Sequence, residues 1–176
     1  GRVDHAHHDG NAARALHDAQ EFSQAIAAAR SMTDEKDTLI IATADHGHTL
    51  TFAGYPLKGN NILGVATTVA KYDFAGDGIA RAADGKKYTT LGYANGPGAV
   101  FKKGADLSDG RPEPTNAEAT ELDFKQPSLV PMGDETHGGQ DVTIYASGPN
   151  AYLFSGVVEQ NYIFHVIVDA LGLGSR

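Results

Sequence analysis

Two carboxylates and three imidazoles crowd into the first ten residues, Gly1-Arg2-Val3-Asp4-His5-Ala6-His7-His8-Asp9-Gly10. That is a donor set for a metal ion. On a helical turn Asp4 and His8 stand at i and i+4, roughly 5 to 6 Å apart on one face and within reach of a single cation. Carboxylate oxygen with imidazole nitrogen suits zinc. A polar turn that happens to be rich in histidine has the same composition, so this stretch alone leaves both readings open. Two further stretches carry the same residue types: Asp45-His46-Gly47-His48, and Glu135-Thr136-His137 within the polar run 133–141. The first also reads as an ordinary loop and the second as a lone structural histidine. Three such stretches in one chain are harder to obtain by accident.

The elements that must hold these residues follow from periodicity. Residues 11 to about 32 read as a helix, with Ala15, Ala19, Phe22, Ile26 and Ala29 at alternating spacings of 4 and 3 and an alanine-rich composition. Asp9 is placed to cap it, and Gly10 allows the turn that delivers the metal stretch onto it. After a polar turn, Thr38-Leu39-Ile40-Ile41-Ala42-Thr43-Ala44 reads as a buried parallel strand. Asp45, His46 and His48 then fall at its carboxyl end, the edge at which open α/β sheets bind ligands.

From residue 49 to about 128 glycine and proline recur and the apolar segments shorten, which reads as an insertion. Residues 87–94 and Ala99-Val100-Phe101 look like strands of a small sheet within it. Core character returns at Ser128–Met132, with a strand at Val142–Ala146 and a helix over Val157–Leu171 stopped by Gly172.

Composition narrows the chemistry. The chain of 176 residues is 41% hydrophobic and 20% charged, with no apolar run near the roughly 18 residues that span a bilayer. Its net charge of −8 and scattered Lys and Arg speak against a nucleic-acid partner, which needs a basic stripe. Cysteine is absent, so any ion must be held by His, Asp and Glu. The glycines match neither a Walker A loop nor a dinucleotide fingerprint.

Taken together, the three motifs resemble the C-terminal part of an alkaline phosphatase of the animal-type branch. Gly1-Arg2-Val3-Asp4-His5-Ala6-His7-His8 is similar to the family's Gly-Arg-Ile-Asp-His-x-His-His, and Thr43-Ala44-Asp45-His46-Gly47-His48 to Thr-Ala-Asp-His-Ser-His. Glu135-Thr136-His137-Gly138-Gly139 is similar to Glu-Thr-His-Gly-Gly. The linking segments Phe52-Ala53-Gly54-Tyr55, Gly59-Asn60, Gly92–Gly98 and Glu159–Tyr162 resemble the family's as well.

The resemblance implies an α/β fold, part of a three-layer αβα sandwich: residues 1–50 as the metal-binding part of the core, 51–128 as a Gly-rich, crown-like insertion, and 129–176 as the return to the core. It implies that Asp4, His8 and His137 hold one zinc and that Asp45 and His46 contribute to a second. His5 is expected near the phosphate and magnesium region, and His48 behind the ligands. Tyr55 is expected to reach across a homodimer toward the neighbour's active site. The implied activity is hydrolysis of phosphate monoesters, by serine attack followed by hydrolysis of the phosphoenzyme, in a periplasmic or extracellular setting.

By the same resemblance the serine nucleophile, the bridging aspartate, the phosphate-binding arginine and most magnesium ligands belong upstream of Gly1. The 176 residues alone are therefore expected to hold one complete zinc site and to be inactive. Two other readings stay open: a related metallohydrolase such as a phosphodiesterase or sulfatase, and a non-catalytic zinc-binding domain.

Overall fold

The computed structural model describes residues 1–100 and 110–174. In chain order the elements are α1 (Arg2–His8), α2 (Ala12–Met32), β1 (Ile40–Ala42), β2 (Gly47–His48), β3 (Leu50–Phe52), β4 (Leu91–Gly96), α3 (Asn116–Ala119), β5 (Ser128–Pro131), β6 (His137–Gly138), β7 (Tyr145–Ser147) and α4 (Tyr162–Ala170). Short 3-10 turns lie at Ala70–Tyr72 and Ala151–Leu153. Among the described residues the mixture is α/β, with the strands in three small sheets, β1-β7, β2-β6 and β3-β4-β5. Among the described residues no helix is long and apolar enough to cross a membrane.

The chain divides into two compact units, Gly1–Ala19 with His48–Gly138, and Gln20–Gly47 with Gly139–Arg176. The division passes through α2 and β2.

In the first unit β4 is the central strand. It pairs antiparallel with β3 (Leu50 opposite Tyr93) and parallel with β5 (Tyr93 opposite Ser128). Leu91 and Tyr93 alternate inward and pack on Ala12 of α2, with Leu16, Leu50 and Leu63 around them. This is the period of two expected of a half-buried strand. The strand expected over 87–94 begins only at Leu91; Lys87 and Thr89 make isolated bridges to Arg81 and Val65. Ala99 bridges Ser128, and Phe101 lies outside the described residues.

Between α1 and α2, Gly10 adopts φ +65°, a left-handed turn that suits glycine. The helix cap differs from the expectation. Asp9 ends α1, and the side chain of Asn11 accepts the Arg14 N–H at 3.0 Å, so Asn11 caps α2. One residue decides it: the cap must sit three positions before the donor, and the turn at Gly10 places Asn11 there.

In the second unit β1 pairs with β7 antiparallel, Ile40 opposite Ser147. An apolar run reports burial and not direction, so the expectation of a parallel strand was wrong for this pairing. Of the stripe anticipated on α2, only Ala15, which lies in the first unit, is fully buried; Phe22 is 50% exposed. α4 starts five residues later than expected. It ends as expected, at Gly172 with φ +64°: the Gly172 and Leu173 N–H groups bond back to Asp169 and Val168, a Schellman close.

Candidate metal centre

α1 brings Asp4 and His8 onto one face, where His8 Nε2 lies 3.4 Å from Asp4 Oδ1. The turn before β6 brings His137 to the same place, its Nε2 3.1 Å from His8 Nε2 and 3.8 Å from Asp4 Oδ1. The turn is held by β4: Asn95 donates to Thr136 Oγ1 at 2.8 Å and accepts the Thr136 N–H at 2.9 Å. It is also held by α1, because the Glu135 N–H donates to the His8 carbonyl at 2.8 Å.

His8 is oriented as a ligand must be. Its Nδ1–H donates to the Glu135 carbonyl at 2.5 Å, which leaves the Nε2 lone pair facing Asp4 and His137. The His137 Nε2–H can donate to the His8 Nε2 lone pair at 3.1 Å, and the same donor atoms, with the Asp4 oxygen, are placed to take an ion instead of that proton. They suit a cation between them, since tetrahedral coordination at about 2.0–2.2 Å spaces donor atoms about 3.3–3.6 Å apart. The residues present therefore fit a divalent ion of the zinc type.

His48 stands behind this group. It is buried, with Nε2 3.0 Å from Asp4 Oδ1 and Nδ1 donating to Glu135 Oε2 at 2.6 Å. Asp4, His8 and His48 thus form a second set of three donors within 4.8 Å of one another. His7 stacks on His48 with ring centroids 4.7 Å apart and hydrogen-bonds the Tyr93 hydroxyl through Nδ1 at 2.8 Å. Burial first, and the His48 ring second, hold the His7 imidazole down to about 4, while burial pushes the Tyr93 hydroxyl well above its ordinary range. His7 is in consequence a neutral packing surface for His48.

The sequence also singled out His5, Asp45, His46 and Tyr55. His5 is exposed, on the wall of a cleft of about 460 Å³ that it shares with Arg2, Asp9, Arg14, Asp18 and Lys125. Asp45 and His46 belong to the second unit, just after β1. There His46 Nε2 is 3.6 Å from Asp45 Oδ2, and the Asp45 carbonyl accepts from the Gln160 side chain at 3.2 Å. Tyr55 is completely exposed.

Sequence reasoning missed Glu135, His7 and Tyr93. Glu135 was visible inside its motif, but its side-chain partners lie 86 and 87 residues away, beyond any local pattern.

An α/β chain that gathers carboxylate and imidazole donors at helix and strand ends has the donor set of a metal-holding protein. Comparison makes the class specific. The family model described as alkaline phosphatase matches residues 1–173, and the chain belongs to that family. Among similar proteins, the tissue-nonspecific alkaline phosphatase isozyme of Mus musculus is 42% identical over 176 residues, all of this chain and 30% of the relative. The Homo sapiens isozyme is 39% identical over the same span, again 30% of its length. An alkaline phosphatase of Gadus morhua is 38% identical over the whole chain and 34% of the relative. The chain thus spans about a third of the length of these relatives.

Proposed function

We propose that the protein carrying this chain hydrolyses phosphate monoesters as a metal-dependent alkaline phosphatase, and that these residues supply much of its metal-binding surface. Asp4, His8 and His137 are the ligands of one zinc. Asp45 and His46 serve a second, together with groups outside this stretch, and magnesium is held mostly by such groups. The observation that carries the reading is the meeting of Asp4 Oδ1, His8 Nε2 and His137 Nε2 at 3.1–3.8 Å, from segments more than a hundred residues apart.

Bound metal supplies Lewis-acid polarisation and charge neutralisation to the phosphate ester. The chain's own residues do the preparatory work. The Glu135 carbonyl holds the His8 Nδ1 proton, so that Nε2 is presented as a lone pair. His48 braces the Asp4 carboxylate, and Asn95 pins the turn that carries His137. His5 lies toward the phosphate and magnesium region. In this reading residues 1–50 and 129–176 belong to the α/β core and 51–128 form the crown-like insertion. The protein is a homodimer with Tyr55 at the partner's edge, and it works in the periplasm or outside the cell, settings shared with its resemblance to the animal-type enzymes.

Zinc titration by calorimetry beside an aryl-phosphate assay tests this. The intact protein is expected to lose turnover to a chelator and recover it with zinc, and His137→Ala to abolish recovery at stoichiometric metal. The 176 residues alone are expected to bind about one zinc firmly and to show no turnover above free-zinc background, because one site has its three protein ligands here. Turnover by the intact protein that ignores chelation, or robust turnover by the pure 176-residue chain, would overturn the assignment.

A further inference from the structure

Glu135 is the carboxylate at the centre of the cluster, and its relative exposure is 1%. Burying a charge is unfavourable unless it is paired and hydrogen-bonded, so such a group survives where its bonding is needed. Its carboxylate bonds to His48 and Thr49 are short. Oε2 accepts from His48 Nδ1 at 2.6 Å, and Oε1 accepts from the Thr49 N–H and the Thr49 hydroxyl, each at 2.6 Å. Its main chain is engaged too, donating to the His8 carbonyl and accepting from His8 Nδ1. One residue thus touches two of the three histidine-bearing segments of the centre, and its chain neighbour Thr136 leads directly into the third.

We propose that Glu135 is a positioning residue that sets the geometry of the metal centre through His48; the inference rests on the zinc reading above. A carboxylate can only accept, so Glu135 holds a proton on His48 Nδ1. A glutamine of the same shape must either turn its amide nitrogen toward Nδ1, losing the acceptor that holds the ring there, or turn it toward Thr49, losing the bond from the Thr49 N–H. With Nδ1 fixed, the ring plane is fixed, and Nε2 is held 3.0 Å from Asp4 Oδ1. Asp4 then keeps the orientation in which the same oxygen lies 3.4 Å from His8 Nε2 and 3.8 Å from His137 Nε2. The His7 ring stacked on His48 closes the remaining direction in which the ring could swing. The chain of contacts runs from Glu135 to His48 to Asp4. Such outer partners commonly decide metal affinity by about 10- to 100-fold.

The experiment uses the intact protein and zinc alone as probe, read by chelator competition, with imidazole 15N NMR on the metal-free protein as a second readout. Glu135→Gln is expected to weaken zinc about 10- to 100-fold and to move the His48 ring nitrogen shifts. Thr49→Val, which keeps the His48 bond, is expected to leave zinc affinity within about twofold. In a His48→Ala background Glu135→Gln is expected to add no further loss, because the two act in series. A Glu135→Gln protein that melts earlier yet binds zinc like its parent would reduce Glu135 to a packing role and overturn the proposal. So would independent, additive losses from Glu135 and His48. If Glu135→Gln does not fold, the unmodified protein still decides: a His48 Nδ1 that carries no proton refutes the hold. A parent that binds no zinc at this centre would refute the metal reading instead, and the nitrogen shifts would still report on Glu135 and His48.

Discussion

A methyl group placed on Gly96 would stand 3.1 Å from Glu135 Cβ and 3.5 Å from its Cα, and Gly96 has φ +134°. Both facts demand glycine at the end of β4, the first because the backbone carrying the buried carboxylate packs against it, the second because L side chains rarely adopt that φ. Gly76 offers the matched control: its φ is +75°, yet nothing lies within 4 Å of the added carbon. Gly96→Ala is therefore expected to cost about 2–4 kcal/mol and Gly76→Ala about 1 kcal/mol, measured by urea unfolding. The difference reports how tightly the Glu135 turn is packed. Equal losses would mean that the turn yields freely.

At the scale of the element, the junction of α1 and α2 sets the direction of both helices, and three residues control it. Gly10 supplies the left-handed turn, Asn11 caps α2 through Arg14, and Gln126 ties the junction to the loop before β5, its N–H donating to the Gly10 carbonyl and its Oε1 accepting from Ala12. Asn11 is buried, so its loss removes a cap and leaves polar backbone without a substitute partner. Asn11→Ala is expected to destabilise by about 1–2 kcal/mol in thermal or urea melts. Asp9→Ala is expected to stay within about 0.5 kcal/mol, because its exposed pairing with Lys125 at 3.4 Å is worth little. The reverse order would restore Asp9 as the cap.

For the whole molecule the exposed aromatics matter most. Tyr55 is 100% exposed, beside Phe52 at 70% and Leu57 at 47%, so it is not packed against its own chain. Exposed tyrosine and phenylalanine side chains gathered in one segment are a common mark of an interface. If the protein is the homodimer proposed above, Tyr55→Ala in the intact protein is expected to raise its dissociation constant about tenfold or more, seen by sedimentation, or to alter substrate kinetics. Tyr55→Phe is expected to keep most of the association. Dissociation and kinetics untouched in both variants would remove Tyr55 from the interface.

The amino-acid sequence by itself determined what is local. Alanine spacing marked α2, the glycine at 172 marked the end of α4, and the histidine and aspartate stretches announced metal-binding chemistry. Their resemblance to a known pattern is enough to point to the family. What only the tertiary structure decided is everything set by distant partners. The pairing direction of β1, the choice of Asn11 over Asp9 as cap, the exposure of Phe22 and the role of Glu135 all depend on residues that no short window contains. The physical reason is the same in each case. Periodicity and composition record how a segment meets solvent, whereas hydrogen-bond partners and strand direction are fixed by how separate segments pack, and a carboxylate 87 residues from its histidine leaves no local trace.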